Sequence, residues 1–171
     1  MNPIIPSVAL TLLLGSQHAD MPTGMSHEEH LKQVQKDEAL KKRGTETMGF
    51  DQDNTTHHFR LSSTGGSIEV TVKDDADRMT ISAIRSHLRS IADDFAAGRF
   101  DKPFQTHGEV PPGVVEMQQR KEEIVYRYVD RPRGGAVQID TGDGRTLEAI
   151  HAFLRYQITE HHTGDTLEYK R

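Results

Sequence analysis

At 171 residues the chain is long enough for one domain with a real core and terminal extensions. Only 34% of its residues are hydrophobic, Trp and Cys are absent and the mean hydropathy is -0.67, so the core has to be small and the tails solvated. The net charge of -5 excludes a general nucleic-acid binder, which needs a basic surface to displace counterions from phosphate, and the lack of Cys excludes disulfide staples and a lipid anchor on cysteine.

Residues 4–14 are apolar apart from Pro6, Ser7 and Thr11, and Asp20 is the first charged side chain. A bilayer span takes about 20 residues, so this run matches the hydrophobic segment of a signal peptide instead. Residues 1–19 are therefore expected to be a leader cut near Ala19, leaving a periplasmic or secreted protein with no membrane span.

Residues 20–54 read as a polar N-terminal arm, partly helical. Ser26 and Glu29 have capping-box spacing, and the composition predicts a helix through about Lys42. Leu31, Val34 and Leu40 form no continuous apolar stripe, so the arm reads as solvated and as the segment to meet any protein partner. His27-Glu28-Glu29-His30 lacks the i, i+4 histidines of a zincin. With Met21, Met25 and Met48 nearby, imidazole and thioether without thiolate suit copper better than zinc.

From His57 onward the chain repeats itself. His57-His58-Phe59-Arg60-Leu61, Gly65-Gly66 and Ile68-Glu69-Val70 precede a helical run that includes Ile84, Leu88 and Ile91. Tyr126-Arg127-Tyr128, Gly134-Gly135, Val137-Gln138-Ile139 and a run with Ile150, Leu154 and Ile158 follow in the same order. Alternating apolar residues predict two hairpins with one buried face each, and the glycine pairs read as turn residues. Apolar residues at helical spacing predict two helices, with Asp77 and Asp143 as N-caps. Residues 98–112 between the copies read as a proline-bearing loop, and residues 114–121 as a short helix. The expected fold is an α+β domain over residues 55–165. It consists of two tandem β-β-α units forming a four-stranded antiparallel sheet, with two long helices on one face and a tail at 166–171.

Each copy is a control for the other. His57 stands where the second copy has Tyr126, on the inward strand face with Phe59 and Leu61; His161 stands where the first copy has Phe95. An inward imidazole must satisfy two nitrogens, and so marks a hydrogen-bond network or a metal. His107, in the inter-copy loop, can reach the same sheet edge, and His58 is a spare on the opposite strand face. His57, His107, His161 and His58 are the candidate ligands for copper or zinc in an open three-histidine site. His87 and His151 fall on helix flanks.

Enzyme signatures are missing: no nucleophile elbow, Walker A loop, dinucleotide-binding glycine motif or Cys nucleophile occurs. Pairings of Asp51, Asp53, Glu109 or Glu160 with a histidine are of the kind that any polar chain offers, so no catalytic residue is assigned. Two readings stand, a small exported metal-binding protein and a structural or protein-interaction module, with a small hydrolase or transferase behind them.

Met48-Gly49-Phe50-Asp51-Gln52, Thr55-Thr56-His57-His58-Phe59, Thr106-His107, Pro111-Pro112-Gly113-Val114, Ala149-Ile150-His151-Ala152-Phe153-Leu154-Arg155 and Glu160-His161 with Thr163-Gly164-Asp165 carry a resemblance covering about residues 26–165. The chain resembles a family of small exported bacterial proteins with no established activity. The resemblance implies location and adds little chemistry. The name aspartate carbamoyltransferase, sometimes given to such proteins, is not supported by the residues. That enzyme is a much longer two-domain chain with a Ser-Thr-Arg-Thr phosphate loop, which does not occur here.

Overall fold

Two β-hairpins meet strand to strand in the computed structural model, which describes residues 26–169. The expected leader, its cut near Ala19, and Met21 and Met25 lie outside the described residues. Strands β1 (Thr55–Ser62) and β2 (Gly65–Val72) pair antiparallel across a two-residue connection, Ser63-Thr64; β3 (Ile124–Arg131) and β4 (Gly134–Thr141) do the same across Pro132-Arg133. The hairpins join through β2 and β4, giving a four-stranded antiparallel sheet in the order β1-β2-β4-β3. Ile68 faces Val137, each the same place in its own hairpin, and Gly65↔Asp140 is mirrored by Thr71↔Gly134. A pseudo-twofold axis therefore passes through the Ile68–Val137 pair.

The period-2 pattern puts Phe59, Ile68, Val70, Ile124, Val137 and Ile139 on one sheet face, all buried. Helices α2 (Arg78–Ala96) and α5 (Gly144–Glu160) cover it. Asp77 accepts from Thr80 N at 3.0 Å and Asp143 from Thr146 N at 2.8 Å, so both N-caps form as the sequence predicts. Ile81, Ile84, Leu88 and Ile91 of α2, and Ile150, Phe153, Leu154 and Ile158 of α5, complete a single core with the strands.

The glycine pairs do something other than turn the chain. They open β2 and β4, and their common role is close packing. A Cβ on Gly66 would lie 2.4 Å from Leu154 Cδ1 of α5, and one on Gly135 would lie 3.3 Å from Leu88 Cδ1 of α2. Gly66 faces Ile139 and Gly135 faces Val70, so both helices press on the same apolar face at equivalent points.

Helix α1 (His27–Met48) begins with the predicted capping box: Glu29 N donates to Ser26 Oγ at 3.3 Å, and Ser26 N to the Glu29 carboxylate at 2.8 Å. It continues past Lys42 to Met48. Leu31 and Val34 are exposed, whereas Leu40 and Gly44 are buried and Met48 is half-buried, one turn apart in sequence. The chain divides between Gln35 and Lys36, so the later part of the expected arm belongs to the unit Lys36–Arg171. Phe50, in that part, is a core residue at 6% exposure.

The expected loop at 98–112 contains a helix, α3 (Asp101–His107), with Pro103 in its first turn, where a missing N–H costs nothing. Gly108, at φ 76°, ends it. Arg43 of α1 secures that end, donating from Nε to Thr106 O at 2.9 Å and from Nη2 to His107 O at 3.4 Å. Helix α4 (Val114–Gln119) follows, buried through Val114 and Met117. No helix among the described residues is long and apolar enough to cross a membrane.

Candidate metal centre

Three of the four predicted ligands come together. His57 is set inward by the register of β1, His161 ends α5, and His107 ends α3. The His57 and His161 rings lie nearly parallel, 5° apart with centres 5.9 Å from one another. His107 stands almost perpendicular to His161, at 80° and 5.1 Å. Phe59 flanks His161 at 5.5 Å and Phe50 flanks His57 at 6.3 Å.

The three histidine rings and Phe59 line a cavity of about 70 Å³ together with Met48 and His87. The internal repeat explains why it is there. Aligning the helices on their caps places His87 opposite Phe153 and Gln157 opposite Ile91, beside the pairs His57/Tyr126 and His161/Phe95. At these four positions one copy is polar where its sister is apolar or aromatic, and all four polar side chains line this one cavity. His87 and Gln157 were not expected here, although extending the His57 and His161 comparison to the whole helix would have found them.

Two imidazole nitrogens lie out of contact with solvent and have no hydrogen-bond partner, His57 Nε2 and His107 Nδ1. His107 Nε2 lies 3.0 Å from Gln157 Oε1, which can only accept. With Gln157 Oε1 accepting, the proton is on Nε2 and Nδ1 is left with a lone pair; this assignment follows from the orientation of the Gln157 amide, whose Nε2 also has no partner. Burial pushes His57 and His87 down to about 4 and His161 to about 3, and it also lowers His107, so the cluster is uncharged at neutral pH.

A second, more open pocket of about 390 Å³ shares His57 and His161 with the first and is lined by Asp37, Lys41, Asp53, Lys73, Glu160 and His162. The two rings therefore stand between an apolar chamber and a polar mouth.

His58 does not join them. Its Nδ1 pairs with Asp165 at 2.9 Å, and the other oxygen of that carboxylate accepts from Phe59 N at 2.9 Å, capping the edge of β1. The alternation that turns His57 inward turns His58 outward. His151 is buried and satisfied, its Nε2 donating toward Ser62 O at 3.0 Å and Gly65 O at 3.1 Å across the β1–β2 connection. Among the described residues no group of three or more His, Asp or Glu side chains is already disposed to hold a metal ion. His57 and His107 lie 5.9 and 5.1 Å from His161, ring centre to ring centre, without a common ligating point.

Comparison with protein-family models, curated proteins and solved structures found no match to this chain.

Proposed function

We propose that this chain is a small exported binding protein, periplasmic or secreted, that holds one copper or zinc ion through His57, His107 and His161. The observation that carries this reading is the convergence of four polar departures from the sister copy, His57, His87, Gln157 and His161, on one cavity, where His57 Nε2 and His107 Nδ1 have no partner. Imidazoles ligating one ion at about 2.0–2.1 Å have ring centres about 5–6 Å apart, and ring spacings of 5.1 and 5.9 Å fall in that range. Bringing the lone pairs to one point requires His57 and His161 to rotate about their side-chain bonds, beside a cavity of about 70 Å³. The polar mouth that shares these rings offers an entry path. The apolar run at residues 4–14, read as a leader, supports export, which the resemblance also implies.

Calorimetric titration of the chelator-treated chain with Cu(II) and Zn(II) tests the reading, beside His57→Ala and His161→Ala. Each variant is expected to lose at least about 100-fold in affinity, since removing even a supporting residue costs 10–100-fold. Binding of these ions unchanged in both variants overturns the site, as does a parent chain that takes up neither of them nor Cu(I). The interaction-module reading would then stand, through residues 20–54; exposed Leu31 and Val34 on α1 favour that surface.

A further inference from the structure

Resting on the metal-binding reading, we infer that the cavity is built for monovalent copper, and that Met48 supplies a thioether ligand beside the imidazoles.

Charge is the first argument. No Asp or Glu lines the cavity. Its one charged side chain, Lys102, is committed to Asp94 and to Ser90 Oγ. An ion held there has only neutral ligands, in a chamber walled by Phe59, Ile68, Val70, Leu88 and Phe153. The cost of burying an ion grows as the square of its charge, so a monovalent ion bears about a quarter of the cost of a divalent one. With no carboxylate in the cavity wall to neutralise it, Zn(II) or Cu(II) would stay a dication there, whereas Cu(I) stays a single charge.

Ligand softness is the second. Met48 comes to this cavity from the last residue of α1, the only sulfur among its lining residues. Thioether sulfur selects Cu(I) and is a poor ligand for Zn(II). Coordination number is the third. Cu(I) is satisfied by two or three soft ligands, whereas Zn(II) calls for a tetrahedral set. Separated rings beside a single thioether suit the former.

The test is a competition with bicinchoninate for Cu(I), run anaerobically with reductant on the full chain, alongside a Zn(II) titration. The parent chain is expected to withdraw about one equivalent of Cu(I) and to bind Zn(II) at least about 1000-fold more weakly. Met48→Leu, nearly the same shape, is expected to weaken Cu(I) at least about 10-fold, leave Zn(II) unchanged, and remove a sulfur shell from the copper X-ray absorption fine structure. His161→Phe, the sister copy's residue, is a folded control expected to abolish Cu(I) uptake. Equal retention of Cu(I) and Zn(II), or no change on Met48→Leu, overturns this inference while His57-dependent binding of either ion keeps the metal site. Failure to bind either ion overturns the metal-binding reading itself.

Discussion

At the scale of single residues, the cluster is held at a cost in stability that pH exposes. In the unfolded chain each imidazole protonates near 6.5. In the folded chain burial holds His57 and His87 to about 4 and His161 to about 3. Between those values the unfolded state takes up protons that the folded state refuses. Stability is therefore full above about pH 7, falls as the pH descends through 6, and levels off only near the folded values. Together the three residues amount to several kcal/mol, as an order of magnitude. Thermal melting of the chelator-treated chain from pH 7.5 to 4.5 is expected to show a steep fall in Tm, and the double variant His57→Tyr, His161→Phe a shallower one. Parallel profiles would mean that these imidazoles reach solvent in the folded chain. His58 is a different case, since Asp165 satisfies it on the outer face.

At the scale of elements, the hairpins depend on glycine for contact with the helices. A Cβ at Gly66 would meet Arg60 O at 2.3 Å as well as Leu154, and the carbonyl cannot move without breaking the hairpin register. A Cβ at Gly135 meets the Tyr128 ring at 2.9 Å and Leu88 at 3.3 Å, both side chains that can yield. Gly66→Ala is expected to cost about 1–3 kcal/mol, and Gly135→Ala less than half of that because the better strand propensity of Ala offsets part of the strain. Urea unfolding midpoints check the order, and the reverse order would mean that α5 shifts more easily over the sheet than α2. α1 shows how tertiary context overrides pattern. Its Leu40, Gly44 and Met48 spacing is legible in sequence, but only packing within the unit Lys36–Arg171 shows that this half of the helix is core-facing.

At the scale of the whole molecule, the sheet is one structure made by two repeats. The central pair β2–β4 runs from Gly65↔Asp140 to Thr71↔Gly134, so neither hairpin has a complete set of partners alone. A fragment that ends before Val114 would expose the β2 edge and the apolar face now shared with α5. It is expected to be unfolded as a monomer, or to dimerise through β2 in the same twofold register. Sedimentation and far-UV circular dichroism distinguish these from a folded monomeric half, which would show that the repeats are independent domains.

The sequence by itself determined the two hairpins, the two capped helices and their repetition, because period-2 and helical spacing and N-caps act between residues close in the chain. From the repeat it also placed His57 and His161 on inward faces. The tertiary structure decided what depends on distant contacts. It made His107 the end of a helix fastened by Arg43, added His87 and Gln157 to the cavity and gave His58 to Asp165. It also brought Met48 to the same chamber. A cavity is a property of the space that several elements leave between them, and no local pattern in one element encodes it.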